Sequence, residues 1–324
     1  MQYSSLGHLE NISRLTLGGG GLGQVWGETS QAEAIETVHA AIESGINLLD
    51  TAPMYRSCET VIRDAFAGQL PEGISITTKC QLGEVAKGTV SDRLTSSLEA
   101  SLSAMGLDRV DVYFLHSYIC EDDEVFAFGN ENRAKFATPW SQYVDEVVPA
   151  FEALQKQGMI GGWGITGTGV PATILKALQH TTKPSIVQAI TNLLNSAGAL
   201  KAFAGPVMAR EIIREANNQG VGVMGIRAVQ AGALTDAIDR PLKDSHPEVK
   251  DFNAAAPFRV LCQEIGEPAA AIAHRYALDM DGVDSVVLGV KNKAELAECV
   301  AAEAAGKLPA DILQSIKALN LTRE

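Results

Sequence analysis

Eight short apolar runs, each followed by a stretch with helical spacing, limit the folds open to this chain. The runs are SRLTL (13–17), INLLD (46–50), ISITTK (74–79), VDVYFLH (110–116), GGWGIT (161–166), SIVQAI (185–190), VGVMGI (221–226) and DSVVLGV (284–290). They are short and rich in Val, Ile and Leu, as strands buried on both faces are. Between them apolar residues recur at three- and four-residue intervals over 31–43, 59–67, 91–106, 142–157, 171–178 and 207–218, in segments between 257 and 278, and over 294–302. Thr29 or Ser30 supplies a side-chain cap for the first of these, and Gly45 stops it. Strands separated by helices form a parallel sheet, and eight such units close it into a barrel. The expectation is therefore one α/β domain over residues 1–324, a (β/α)8 TIM barrel preceded by an N-terminal extension. One break in the rhythm is Tyr118–Ser141, a polar stretch with aromatic residues after the fourth strand. A loop that long in a compact domain usually carries function, so it is assigned to substrate.

Composition removes several classes of function. With 46% hydrophobic and 20% charged residues the chain can bury a large core and is not disordered. A formal net charge of −13 speaks against nucleic acid as a partner, and no apolar run reaches the length of a membrane span. Cys58, Cys80, Cys120, Cys262 and Cys299 are odd in number and form no C-x-x-C pair, which fits a reducing compartment. The opening MQYSSLGHLENISRL has no signal-peptide pattern. A cytoplasmic location is expected, and the oligomeric state stays open. His8, His39, His180, His246 and His274 share no ligand spacing, so no metal site is expected. No G-x-S-x-G nucleophile motif occurs. GGGGLG (18–23) contains G-x-G-x-x-G, but no acidic residue closes a second strand about 20 residues on, as a dinucleotide fingerprint requires. These glycines read as a first βα loop that lets cofactor and substrate approach, the alternative being a simple flexible turn. Asp122–Glu124 reads as a solvated acidic run, and Cys58 and Cys80 as buried packing residues.

In a barrel, polar residues just past the strands' C-terminal ends face the open mouth. Asp50, Lys79 and His116 close the second, third and fourth strands, and Tyr55 follows Asp50 in the loop TAPMYRS. Neighbouring strands bring the four together. Any one of them alone is weak evidence, and all four on consecutive strand ends are a much stronger signal of a site.

These residues, with GINLLDTAPMY (45–55), ITTK (76–79), VDVYFLH (110–116), LQKQGMIGGWGIT (154–166), Gln188 and VVLGVKNKAEL (286–296), resemble the aldo-keto reductase superfamily in order and over nearly the whole chain. The resemblance implies a nicotinamide-dependent oxidoreductase interconverting a carbonyl (aldehyde or ketone) and an alcohol, with Asp50, Tyr55, Lys79 and His116 as its catalytic tetrad. The alternative is an NADP-binding regulatory or redox-sensing module of the same fold with slow turnover.

For the cofactor, the resemblance assigns Thr166 and Gln188 to the carboxamide, with Gly167 lacking the side chain usual there. Ile226 replaces the aromatic residue that commonly lies under the nicotinamide. Arg227 reaches the pyrophosphate or makes a salt bridge. Gly289 permits close approach at the start of the last barrel helix, whose N-terminal amides favour an anion. Lys291 or Lys293, around Asn292, would meet a 2′-phosphate. Glu295 would repel one, Glu298 matches an adenine contact, and Cys299 departs from the usual asparagine. NADP is favoured, with NAD as the alternative. Trp26, Tyr118 and Trp140 are expected to line the substrate mouth.

Overall fold

The computed structural model describes residues 1–126 and 130–322. The chain opens with an antiparallel hairpin, β1 (Tyr3–Leu6) and β2 (Leu9–Ser13). Eight parallel strands then form a closed barrel: β3 (Leu15–Gly18), β4 (Leu48–Asp50), β5 (Ser75–Cys80), β6 (Val110–Leu115), β9 (Ile160–Thr166), β10 (Ile186–Ile190), β11 (Gly222–Ile226) and β12 (Ser285–Leu288). The ring runs in chain order and closes β12 onto β3. Outside it, β7 (Tyr118–Cys120) and β8 (Ala137–Pro139) pair in parallel. The expected (β/α)8 barrel is the fold.

Strand alternation sorts the barrel's side chains into two sets. Leu49, Ile76, Tyr113, Leu115, Trp163, Ile165 and Val187 belong to the outer core beneath the helices. Leu48, Val112, Phe114, Ile186 and Met224 form an inner cluster with Leu6 and Ile12 of the hairpin. The hairpin thus stoppers the barrel at the strands' N-terminal end. His8 at its turn reaches Ser185 Oγ (3.1 Å) and the Asp111 carbonyl (3.2 Å), beside the starts of β10 and β6. Glycines on β9 make room for this filling. A Cβ on Gly162 would collide with the His8 ring, and one on Gly164 with the Phe114 ring. The C-terminal end of the barrel is the end left for chemistry.

The first helix, Gln31–Glu43, is capped by Ser30, whose hydroxyl accepts from Glu33 N at 3.1 Å, worth about 1 kcal/mol. The Thr29 hydroxyl instead donates to the Lys291 carbonyl (2.9 Å). The helix expected over 142–157 begins at Trp140 and passes through a π-helical turn, Tyr143–Val147, before Val148–Lys156. Pro149 accounts for the widening: it has no N–H to donate, and its ring crowds the carbonyl one turn back. Within this first βα connection GGGGLG forms a short helix, Gly19–Leu22. Helices Asn130–Phe136, Pro247–Ala254 and Ala310–Ala318 were not expected from the sequence. The long stretch after β6 thus carries β7, helix Asn130–Phe136 and β8, with 127–129 lying outside the described residues. Among the described residues no helix is long and apolar enough to cross a membrane, and no His/Cys/Asp/Glu group could hold a metal ion.

Candidate active site

The same alternation that buries Leu48 and Phe114 inside the barrel carries the polar residues inward at the strands' far ends. Asp50 lies two positions after Leu48, His116 two after Phe114, Lys79 two after Thr77, and Gln188 two after Ile186. The strands β4, β5 and β6 are adjacent, so Asp50, Lys79 and His116 converge. Tyr55 comes from a single 3-10 turn, Pro53–Tyr55, immediately after β4. The Tyr55 carbonyl lies so close to Gly23 that any side chain there would strike it, which ties this loop to the short glycine helix.

Lys79 is the hub. Its side chain is 0% exposed, and its ammonium pairs with Asp50 Oδ2 at 2.7 Å and donates to the Thr51 carbonyl at 2.8 Å. It also sits 4.6 Å from the centroid of the Tyr55 ring. Burial works against the ammonium, but Asp50 and Tyr55 outweigh it and hold Lys79 above the ordinary lysine range. For Tyr55, burial pushes the phenol up, Lys79 pulls it down, and Asp50 pushes it up again. The net direction is upward, so the ammonium moderates the phenol's rise instead of bringing it to neutrality. Tyr55 therefore holds its proton at neutral pH.

His116 packs edge-on against Tyr55, with ring centroids 5.9 Å apart. Burial first, and the Lys79 charge second, press its imidazole down to about 3. It is neutral at any ordinary pH. Its Nδ1 is buried without a hydrogen-bond partner, which leaves Nε2 as the nitrogen open to a ligand. A neutral imidazole protonated at Nε2 offers one directed donor beside the Tyr55 hydroxyl.

Two contacts to Asp50 were not read from the sequence. Thr77 Oγ1 donates to Asp50 Oδ1 at 2.7 Å, and Gln188 Nε2 donates to the same oxygen at 2.9 Å. Thr77 had a signal: two positions before Lys79 on a strand, it must share the lysine's face. Gln188 reaches across the ring from β10, which lies opposite β4.

Of the residues expected at the cofactor, Thr166 and Gln188 are register partners on β9 and β10. The Thr166 hydroxyl donates to the Leu115 carbonyl at 3.1 Å. Arg227 makes a salt bridge, but an internal one. It pairs with Glu248 at 2.7 Å with both side chains under 10% exposed, and its Nε donates to Gln230 at 2.9 Å. That network joins the segment after β11 to helix Pro247–Ala254. Lys291 is held by Asp239 (2.5 Å) and Glu295 (2.7 Å), and Lys293 by Glu36 (2.6 Å). Asn292 caps helix Lys293–Ala304, accepting from Glu295 N at 2.9 Å, while the Glu295 carboxylate accepts from Lys291 N at 2.9 Å. The second bond reaches the residue before the cap, so the two together tie the approach to the helix onto its first turn. Glu298 is exposed on the same helix.

Trp26 lies over Gly289 and Gly20, where an added Cβ would meet its ring at 3.5 and 2.6 Å. Arg240 stands 5.5 Å above that ring. Tyr118 bonds the Leu200 carbonyl at 3.0 Å and meets Phe126 edge-on. Trp140 packs against Tyr143 and His180, with the Lys176 ammonium 4.2 Å from its ring centroid. Cys58 and Cys80 are buried, and burial raises both thiols.

Residues 14–321 match a family model described as the aldo/keto reductase family. The chain is 27% identical over 299 residues to an L-galactose dehydrogenase of Arabidopsis thaliana, covering 90% of this chain and 84% of that protein. It is 26% identical over 250 residues to an NADH-specific methylglyoxal reductase of Escherichia coli, covering 71% and 67%. Among solved structures, an aldo-keto reductase from Bacillus halodurans in its holo form superposes with a TM-score of 0.70 at 22% identity, over 98% of this chain and 96% of that one.

Proposed function

The chain belongs to the aldo/keto reductase family, and on that premise we propose that it interconverts a small carbonyl compound and its alcohol with a nicotinamide dinucleotide, using Tyr55 as proton donor and acceptor. The observation that carries this is the buried ammonium of Lys79, paired to Asp50 at 2.7 Å and set 4.6 Å from the Tyr55 ring, with neutral His116 edge-on beside it.

Each residue has a task that follows from its environment. The Tyr55 phenol, kept protonated by burial, gives its proton to the oxygen of the carbonyl as negative charge develops there. Lys79 stabilises the phenolate left behind, and Asp50 keeps Lys79 charged and aimed. His116, neutral and donating through Nε2, hydrogen-bonds the same oxygen and fixes the carbonyl's direction. In oxidation the roles reverse, and Tyr55 takes up the alcohol proton. The cofactor, when bound, supplies or accepts the hydride.

The residues fit the nicotinamide end of that cofactor. Among the described residues Gln188 Oε1 accepts no hydrogen bond from the chain, and Thr166 lies beside it in register, so an acceptor and a hydroxyl adjoin for a carboxamide. The adenosine end fits a 2′-phosphate poorly. Lys291 is shared between two carboxylates, Lys293 is paired to Glu36, and the Glu295 carboxylate already occupies the first turn of helix Lys293–Ala304. We therefore read NAD(H) as the preferred form, in place of the NADP favoured on the resemblance with Lys291 or Lys293 meeting the 2′-phosphate. The name of the Escherichia coli relative agrees with that reading.

The experiment is a substrate screen followed at the nicotinamide absorbance, beginning with L-galactose and methylglyoxal as the relatives' names suggest. Turnover that depends on Tyr55 is the expected result. A chain that binds the cofactor but turns over no carbonyl or alcohol in a broad panel would overturn the proposal.

A further inference from the structure

Asp50 receives more than its family role calls for. Oδ2 faces the Lys79 ammonium at 2.7 Å, while Oδ1 accepts two separate hydrogen bonds, from the Thr77 hydroxyl at 2.7 Å and the Gln188 amide at 2.9 Å. All four side chains are buried: Asp50 is 2% exposed, Lys79 and Thr77 are 0%, and Gln188 is 3%. Because a carboxylate oxygen only accepts, Gln188 must present its NH2 to Asp50, and its Oε1 turns the other way.

We propose that Thr77 and Gln188 are positioning residues that fix Asp50 by its outer oxygen and so set the charge felt by Tyr55 through Lys79. The proposal rests on the reading of Tyr55 as the proton donor. Its physical content is a division of charge. With Oδ1 held by two donors, part of the carboxylate's charge is taken up away from Lys79, and the ammonium keeps a larger share of its field for the phenol. Lys79 spends its other bonds on Asp50 and Thr51, so its geometry toward Tyr55 follows from where Asp50 is held.

The titratable and charged groups facing Tyr55 are Lys79 from β5, Asp50 from β4, Cys58 from helix Cys58–Phe66, and His116 at the end of β6. Cys58 and His116 are neutral at working pH, the thiol raised and the imidazole lowered by burial. The balance at the phenol is thus between one ammonium and one carboxylate. Loss of a donor to Oδ1 leaves the carboxylate less compensated and tilts that balance against phenolate.

The test is Thr77→Val, which keeps the side chain's shape and removes the hydroxyl, with Thr77→Ser as the variant that restores it. The readout without turnover is the phenol titration of Tyr55, taken as the absorbance difference between each protein and its own Tyr55→Phe counterpart. The second readout is the pH profile of kcat/KM. Thr77→Val should move the Tyr55 midpoint and the profile's tyrosine limb upward together, by about half a unit to one unit, and Thr77→Ser should return both. A structural role alone lowers stability without moving either midpoint. If Thr77→Val leaves the titration unshifted while Tyr55→Phe is inactive, the positioning inference fails and the catalytic reading stands. If Tyr55→Phe remains active, the catalytic reading itself fails.

Discussion

His116 gives a stability prediction whose size follows from its burial. The folded imidazole is pressed to about 3, against 6.5 for an ordinary histidine. Between those values the unfolded chain carries a proton that the folded chain refuses. Acid therefore favours unfolding: the contribution is intact above about pH 6.5 and is lost as pH falls through the window toward 3. Going from pH 7 to pH 5, the histidine alone should cost about 2 kcal/mol, roughly a thirtyfold rise in the unfolding constant. The assay is denaturant unfolding of the parent and of His116→Gln at pH 7, 6 and 5. His8 and His274 are also held below the ordinary histidine range by burial, but they are present in both proteins and cancel in the difference. The parent should lose stability faster than the variant on acidification, by about 2 kcal/mol over the two pH units. Parallel losses would refute the idea that burial and the Lys79 charge keep the imidazole neutral. The same neutrality implies that kcat/KM shows no inflection near pH 6.5 arising from His116.

Lys79→Met removes one partner of a fully buried pair and leaves Asp50 with hydrogen bonds but no cation. It should cost about 3–5 kcal/mol, visible as a fall of roughly 5–10 °C in Tm, and turnover should fall with it; an unchanged melting curve counts against the pair's role. Glu295→Gln frees Lys291 from one of its two carboxylates. Fluorescence titration should then show NADPH binding about tenfold tighter relative to NADH, and an unchanged ratio would remove Glu295 as a cause of the proposed preference for NAD(H).

The barrel and the four central residues were legible in the sequence because both depend on strand parity. Apolar runs fix the strands, and a polar residue ending a run must emerge at the barrel's mouth. What the sequence did not carry were contacts made across the ring or between loops. Gln188 was read only as a ligand for a carboxamide, since nothing local shows that β10 stands opposite β4 and brings its amide to Asp50. Arg227 offered a cation after a strand, and its partner Glu248 lies 21 residues away on a helix that the pattern did not reveal. Trp140 is a similar case. It was read as part of a long loop, whereas it begins a helix and its ring meets Tyr143, Lys176 and His180, from segments that the local pattern does not link. The N-terminal hairpin was missed as strands because its pattern, broken by Gly7 and His8, is too short to stand out from an extension.

The most direct test of the account is Tyr55→Phe, measured for both cofactor binding and turnover. The phenol is assigned to proton transfer alone, so the dissociation constant for NADH should stay within about twofold while kcat/KM falls by about a hundredfold or more. Near-parent kcat/KM in Tyr55→Phe, with binding intact, would show that the proton comes from elsewhere and contradict the central claim.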